Sequence, residues 1–283
     1  MTAREQLLAE APVTERRLRL AGVSTAVLAG GDGPPVVLLH GQGHWAGMWL
    51  PVITSLVTTH HVVAPDLPGL GASEAPEGTP GAGTVLPWLG ELIDHTCPTP
   101  PVLVGHSLGG SIAARFAADH GSRLAGLVLV DTGGLAGRVR PAAAVLLALI
   151  HHSARPSQRT TLRLMRHVTV DLERVRKRMH ERWEPFLAYM VDRARAPSVR
   201  KANRRLLREL GFPQIPPQDL ARIRVPTTLI WGRHDRVMPL RTAEQASALY
   251  GWPLHVVEDA GHFLPGEDPA ALVEALHLAL GAS

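Results

Sequence analysis

The chain reads Val102-Leu103-Val104-Gly105-His106-Ser107-Leu108-Gly109-Gly110 in the stretch that decides its fold. Three apolar residues run into a Gly-x-Ser-x-Gly motif, and residues 111–114 continue with types that favour a helix. This pattern predicts a strand, a sharp turn with Ser107 at its apex, and a helix. Gly105 and Gly109 flank the turn because a Cβ atom there would clash with the neighbouring strand or helix. We therefore expect the Ser107 hydroxyl to project from the sheet edge towards a base, although a glycine-rich turn with an incidental serine has the same spacing.

The rest of the chain alternates strand patterns with helix patterns, which predicts an α/β fold with a doubly wound, mostly parallel sheet. Residues 15–29 alternate charged and apolar side chains and predict an antiparallel hairpin at one edge. Further strands are predicted from the apolar runs 36–39, 62–64, 127–130, 227–230 and 254–257.

Strand-like runs disappear between residues 132 and 218, where apolar residues recur at helical spacing. We predict an inserted helical cap over 132–218, above a core formed by 1–131 and 219–283. Pro141 is expected to open a helix over 142–150 that is apolar nearly all round and therefore buried.

Composition limits the function classes. The chain has 283 residues, of which 45% are hydrophobic, so it is long and apolar enough to bury a large core. A net charge of +4 is too small to indicate nucleic-acid binding, and the single cysteine, Cys97, excludes an intrachain disulfide. The polar start and the short apolar run 142–150 predict no signal peptide and no membrane span, hence a cytoplasmic protein.

Two further absences bear on cofactors and partners. The sequence contains no nucleotide-binding glycine motif, and its histidines give no zinc signature. It predicts no cofactor, no metal and a small-molecule substrate as the partner. The oligomeric state stays open between a monomer and a homodimer.

Five segments resemble motifs of the α/β-hydrolase family, in the family's order and over nearly the whole chain. They are His40-Gly41-Gln42-Gly43, residues 66–73, residues 105–109, Gly232-Arg233-His234-Asp235 and Gly261-His262. The resemblance implies eight strands, a helical cap over the site and a catalytic triad of Ser107, Asp235 and His262.

The chemistry of the residues supports that triad. A serine hydroxyl is a weak nucleophile until a base takes its proton, and a neutral imidazole suits that role at pH 7. His262 lies in a loop just after a predicted strand; its alternative reading is a surface histidine. Asp235 and Asp131 both follow strands, and the acid is expected at Asp235. Asp131 is then expected to brace the start of the insert.

The resemblance assigns the oxyanion hole to the backbone N–H groups of Gln42 and Leu108. The substrate pocket is expected to include His44, Trp45, Trp49 and Phe263, although ordinary core packing is an alternative for the tryptophans. His106 is interpreted as a packing residue, and His40 as a local brace for its loop.

A serine at this turn narrows the reaction. Epoxide hydrolases and haloalkane dehalogenases of this fold use a carboxylate there, because a serine would leave an ether that water cannot cleave. Hydrolysis of an ester, lactone, thioester or amide remains. Carbon–carbon bond hydrolysis of ring-fission diketo acids and cofactor-free haloperoxidase activity are alternatives. A non-catalytic binding module is a third class, which the intact triad opposes.

Charge is distributed unevenly along the chain. Residues 155–209 contain fourteen Arg, two Lys and six acidic residues, a net charge of +10 that leaves −6 for the remainder. A solvated helix surface explains such a run. The alternative hypothesis is a cap that attracts an anionic substrate, with specificity only from an arginine that points into the pocket.

Overall fold

A computed structural model describes residues 1–75, 80–137 and 142–281. Eight strands form one sheet in the order β1-β2-β4-β3-β5-β6-β7-β8. The strands are β1 Thr14–Leu20, β2 Val23–Gly30, β3 Pro35–Leu39, β4 His61–Pro65, β5 Val102–His106, β6 Gly126–Val130, β7 Thr227–Gly232 and β8 Leu254–Val257. Only β2 pairs antiparallel, with β1 and with β4, so the prediction of a mostly parallel sheet is confirmed.

The α-helices alternate with these strands or lie between β6 and β7. They are α1 Ala3–Leu8, α2 Leu50–Leu56, α3 Ala82–Thr96, α4 Leu108–His120, α5 Ala143–Ala154, α6 Gln158–Val168, α7 Leu172–Met179, α8 Trp183–Arg195, α9 Pro197–Leu206, α10 Pro217–Leu220, α11 Arg241–Tyr250, α12 Leu264–Glu267 and α13 Pro269–Gly281. No helix in the described ranges is both long and apolar enough to cross a membrane.

Both faces of the sheet are covered, because side chains alternate between the faces along each strand. On β3, Val37 and Leu39 pack into one hydrophobic cluster, which includes side chains of α3, α4 and α11. Val36 and Leu38 point the other way, into a cluster with α2 and α13. This two-sided cover is the doubly wound arrangement that the sequence predicts.

Helices α5 to α10 lie between β6 and β7, and the described part of residues 132–218 contains no strand. The expectation of a buried helix over 142–150 was wrong: Leu146, Leu147 and Ile150 of α5 are exposed by 44%, 54% and 53%. Val145 and Ala148 of α5 are buried, whereas Leu146 and Ile150 line a cavity. This part of the helix surface therefore borders the cavity and not the hydrophobic core. Pro141 lies outside the described residues.

Candidate active site

The turn after β5 holds Ser107 in a strained conformation. Its φ is +53° and its ψ is −113°, in a region that residues with a side chain rarely adopt. A Cβ atom on Gly105 would lie 2.5 Å from the carbonyl oxygen of Gly109, and one on Gly109 would meet the carbonyl oxygen of Leu39. Both glycines are therefore required for close backbone approach, as the sequence predicts.

Three side chains from distant parts of the chain meet at the carboxyl edge of the sheet. The Nε2 atom of His262 lies 3.0 Å from the Oγ atom of Ser107. The Nδ1 atom of His262 lies 2.7 Å from the Oδ2 atom of Asp235. The other carboxylate oxygen of Asp235 accepts the backbone N–H groups of Val237 and Met238, at 2.7 and 2.9 Å. These bonds fix the carboxylate plane against the imidazole.

The loop that carries His262 is held by a residue that sequence reasoning missed. The buried Glu267 accepts the N–H groups of Gly261 and Phe263 through Oε1, at 3.0 and 3.2 Å. Its Oε2 accepts the N–H of Val170 at 2.6 Å. Burial raises the pKa of Glu267 despite these donors. No motif marks this residue, because its donors are backbone groups of separate segments.

Asp131 lies beside the three residues but does not contact His262. Its Oδ1 accepts the N–H of Gly232 at 2.9 Å, so it braces the end of β7. The expectation that Asp131 braces the start of the insert was wrong, because its side chain accepts a hydrogen bond from Gly232 in β7. Burial, and next the negative charge of Asp235, raise the pKa of Asp131 well above its usual range. Asp131 therefore lies beside Asp235 without taking part in the hydrogen bond from His262.

His106 contacts the backbone of the loop that carries His262. Its Nε2 lies 2.7 Å from the carbonyl oxygen of His262 and donates to it. Burial, and then the neighbouring His262, lower the pKa of His106 well below its usual value, so the ring is neutral. His106, Asp131 and His262 place three potential metal-ligand atoms within 4.8 Å of one another. Both ring nitrogens of His262 are already hydrogen-bonded, which disfavours a metal there.

The loop after β3 approaches Ser107 closely. A Cβ atom on Gly41 would lie 2.5 Å from the Nδ1 atom of His106, and Gly43 has a φ of +68°. His40 braces this loop as predicted, since its Nε2 accepts the N–H of Leu67 at 2.9 Å and its Nδ1 donates to the carbonyl of Gly41 at 2.8 Å. The loop is thereby fixed from the core side.

Two backbone donors at this position have no acceptor among the described residues: the N–H groups of Gln42 and Leu108. Leu108 begins α4, whose first N–H groups have no partner within the helix and carry partial positive charge. Asn203 of α9 also reaches the loop, because its Oδ1 accepts the N–H of Gly43 at 3.2 Å. No motif indicates this contact, which joins two segments 160 residues apart.

A cavity of about 600 Å³ opens at Ser107, and both His44 and Phe263 line it. Their rings stack with centroids 5.0 Å apart. Burial lowers the pKa of His44 to about 3, so its ring is neutral. The pocket assignment of Trp45 and Trp49 is corrected: they are 1% and 0% exposed and belong to the core on the side of α2. Trp45 packs on Tyr189 instead, with centroids 4.8 Å apart.

Most of the cavity wall comes from the helices between β6 and β7. Its apolar members include Val145, Leu149, Leu164, Met165, Phe186 and Met190. Two cationic residues of α9, Arg200 and Arg204, also line it. The cavity therefore has a mostly apolar wall, with two arginines on one side. It lies above Ser107, whose hydroxyl is hydrogen-bonded to His262, which in turn is hydrogen-bonded to Asp235.

Comparisons with known proteins agree with this architecture. A family model described as the alpha/beta hydrolase family matches residues 36–275. The 2-hydroxy-6-oxo-6-(2'-aminophenyl)hexa-2,4-dienoic acid hydrolase of Metapseudomonas resinovorans is 26% identical over 279 residues, covering 94% of this chain and 90% of that protein.

Two solved structures extend the likeness to the whole fold. The 2-hydroxy-6-oxo-6-phenylhexa-2,4-dienoate hydrolase of Rhodococcus sp. strain RHA1 is 27% identical, with a TM-score of 0.84 over 96% of this chain and 99% of that one. A bacterial membrane phospholipase A is 28% identical, with a TM-score of 0.82 over 99% of this chain and 89% of that one.

Proposed function

The chain belongs to the alpha/beta hydrolase family, and on that premise we propose that it is a serine hydrolase with a Ser107–His262–Asp235 triad. The bond that it cleaves is a carboxylic ester, lactone or thioester of a small to medium organic substrate. The observation that carries the proposal is the unbroken series of hydrogen bonds from Ser107 through His262 to Asp235, at 3.0 and 2.7 Å. In this proposal the helices of 132–218 form the cap over the cavity.

Acylation begins when His262 Nε2 takes the proton of the Ser107 hydroxyl as the oxygen attacks the carbonyl carbon. Asp235 accepts a hydrogen bond from Nδ1, holds the ring in the required tautomer and stabilises the imidazolium that forms. The N–H groups of Gln42 and Leu108 bind the developing oxyanion. The imidazolium then protonates the leaving alcohol or thiol, which departs and leaves an acyl-serine.

Deacylation repeats these steps with water. His262 takes a proton from the water as its oxygen attacks the acyl carbon, and the same two N–H groups bind the second oxyanion. The imidazolium returns its proton to the Ser107 oxygen as the acid product leaves. Asp131 takes no part in this sequence, because its hydrogen bond goes to Gly232 rather than to the imidazole.

Labelling with a fluorophosphonate tests the nucleophile, and a panel of esters with increasing acyl length tests the reaction. The wild-type protein should be labelled at Ser107 and should hydrolyse at least one ester. Ser107→Ala should abolish labelling and reduce turnover by roughly a million-fold while the thermal unfolding curve is preserved. A folded wild-type protein that takes no label would instead favour the binding-module alternative.

Carbon–carbon bond hydrolysis is the second candidate, and the similarity to dienoic acid hydrolases favours it. Against it, Gln42-Gly43-His44-Trp45 departs from the Ser-Gly-Pro-Gly-like run that often continues this segment in enzymes for that reaction. Parallel assays of a ring-fission dienoate and of simple esters separate the candidates. The higher kcat/KM identifies the reaction.

A further inference from the structure

One face of α9 is turned towards the active site. Arg200, Asn203 and Arg204 of this helix, and Leu207 directly after its last residue, line the cavity above Ser107. Their spacing of three and four residues places them side by side on a helix. Asn203 fixes this face against the loop that carries Gln42, through its 3.2 Å hydrogen bond from the N–H of Gly43. The two arginines are therefore part of a surface with a fixed position relative to the reacting groups.

A second cavity of about 510 Å³ lies against the same helix. It is lined by Pro197, Arg200, Lys201, Arg204, Arg205 and Arg208. We call it the arginine groove. Arg200 and Arg204 belong to the walls of both cavities. The arginine groove and the apolar chamber over Ser107 are consequently neighbours that share two cationic side chains.

The cations of the arginine groove differ in their partners. Arg205 pairs with Glu209 at 2.7 Å, and Arg208 approaches the same carboxylate at 3.7 Å. Glu209 also accepts the N–H of Ala82, so this pairing ties α9 to the start of α3. The charges of Arg205 and Arg208 are thus compensated by the carboxylate of Glu209.

The other three cations of the arginine groove are Arg200, Lys201 and Arg204. None of them forms an ion pair or a side-chain hydrogen bond with any residue in the described ranges. Like charges four residues apart on a helix repel each other, so Arg200 and Arg204 cost stability as they stand. An anion between them would remove that repulsion.

We propose that the arginine groove binds an anionic group of the substrate, a carboxylate or a phosphate, while the apolar part of the substrate occupies the chamber over Ser107. The substrate is then an amphiphilic ester with one apolar and one anionic portion. This inference rests on the proposed function and adds a substrate class to it. Arg200 and Arg204 are the specificity-determining residues, because they alone among these cations line both cavities.

The chemistry of guanidinium groups suits this role. A planar guanidinium donates two parallel hydrogen bonds to a carboxylate or a phosphate, and such charge-assisted bonds are stronger than neutral ones. Other cap cations, such as Arg163 and Arg166 of α6, are exposed and line neither cavity. They raise the local concentration of an anion from a distance but cannot hold it at the site.

Two pairs of octanoyl-sized esters test the proposal. In the first, 4-(octanoyloxy)benzoate carries its anion on the alcohol side, and 4-(octanoyloxy)benzamide is the neutral match. In the second, the 4-nitrophenyl monoester of a dicarboxylic acid carries its anion on the acyl side, and the corresponding terminal amide is the neutral match. We expect kcat/KM to favour the anionic member in at least one pair by about tenfold to a hundredfold, the effect of a charged hydrogen bond.

The matched variants are Arg200→Gln/Arg204→Gln in the arginine groove and Arg163→Gln/Arg166→Gln on α6. Both remove two positive charges from exposed or half-buried positions of the cap. The groove variant should lose the preference for the anionic ester, measured as the ratio of the two kcat/KM values within each pair. The α6 variant should keep the preference at 0.1 M salt, where charges are screened beyond roughly 10 Å.

The outcomes separate this inference from the proposed function. Equal rates for both members of both pairs, or an equal loss in the two variants, would overturn the anion subsite while ester hydrolysis stands. No hydrolysis of any ester and no fluorophosphonate labelling would overturn the proposed function. Thermal unfolding of each variant shows that it is folded, so that a lost preference reports on recognition.

Discussion

Asp131 and Asp235 follow neighbouring parallel strands, β6 and β7, yet only Asp235 meets the imidazole of His262. Asp235 Oδ2 lies 2.7 Å from His262 Nδ1, whereas Asp131 Oδ1 is occupied by the N–H of Gly232 at 2.9 Å. The strand pattern left two candidates for the acid, and only the side chain of Asp235 is directed at His262. The relationship also places the buried Asp131, whose pKa is raised by burial and by the charge of Asp235, next to the carboxyl group that contacts His262.

We expect Asp235→Asn to reduce kcat by about ten-thousand-fold, because an amide cannot hold the imidazole in the required tautomer or stabilise its charged form. Asp131→Asn should change kcat by less than about tenfold, since an amide oxygen can still accept the N–H of Gly232. Steady-state kinetics on one ester measures both. The reverse order would assign the acid to Asp131.

The same substitution at Asp131 tests its protonation. Burial, and then the charge of Asp235, raise the pKa of Asp131 in the folded state. A raised acid pKa stabilises the fold below the unfolded pKa of about 3.9, and this contribution is lost as pH rises through the folded pKa. Asp131→Asn does not titrate, so its stability should gain on that of wild type as pH rises above the unfolded pKa of about 3.9.

Chemical denaturation at several pH values measures that difference. Asp235→Asn supplies the control background, because it removes the neighbouring negative charge. The gain from Asp131→Asn should shrink there. A gain that is independent of pH in both backgrounds would mean that Asp131 is ionised throughout and that its burial is otherwise compensated.

Gln42 is expected to act through its backbone. Its N–H has no acceptor among the described residues, which suits a donor to an oxyanion. Gln42→Pro removes that N–H and should lower kcat by about a hundredfold to a thousandfold, whereas Gln42→Ala should stay within several-fold of wild type. Loss of the same size in both variants would make the Gln42 side chain the functional group. Thermal unfolding checks that the proline variant is folded.

The sheet and the serine turn could be predicted because their signals are local. Apolar runs mark buried strands, and Gly105 and Gly109 are needed by the turn itself. The resemblance to the α/β-hydrolase family placed His262 and Asp235 with Ser107, and all three follow strands whose carboxyl ends lie at one edge of the sheet.

The environment of the site could not be predicted in the same way. Glu267 and Asn203 act through backbone N–H groups of other segments, and no residue pattern records such a contact. The exposure of α5 depends on a cavity rather than on its own apolar sequence. Trp45 and Trp49 come shortly after the loop that contains Gln42 in the sequence. Their side chains point into the core, and this orientation depends on the residues that pack around them.

Arg4 of α1 connects the N-terminal helix, the core and the helices above it. Its Nη1 lies 2.9 Å from Asp66 Oδ2 and donates to the hydroxyl of Tyr189 on α8, also at 2.9 Å. Its guanidinium carbon lies 4.3 Å from the ring centroid of Trp45. Asp66 is fully buried and also accepts two backbone N–H groups, from Ala46 and Ala72, so its role is structural.

We expect Arg4→Met to destabilise the protein by about 3–5 kcal/mol, because it leaves the buried Asp66 carboxylate without its cation. The control, Arg16→Met, removes an exposed charge of β1 and should change stability by less than about 0.5 kcal/mol. Denaturant unfolding measures both. In an Asp66→Asn background the cost of Arg4→Met should fall by more than half, since the charge to be compensated is gone. An equal cost in both backgrounds would assign the effect to lost packing on Trp45 and Tyr189 rather than to the ion pair.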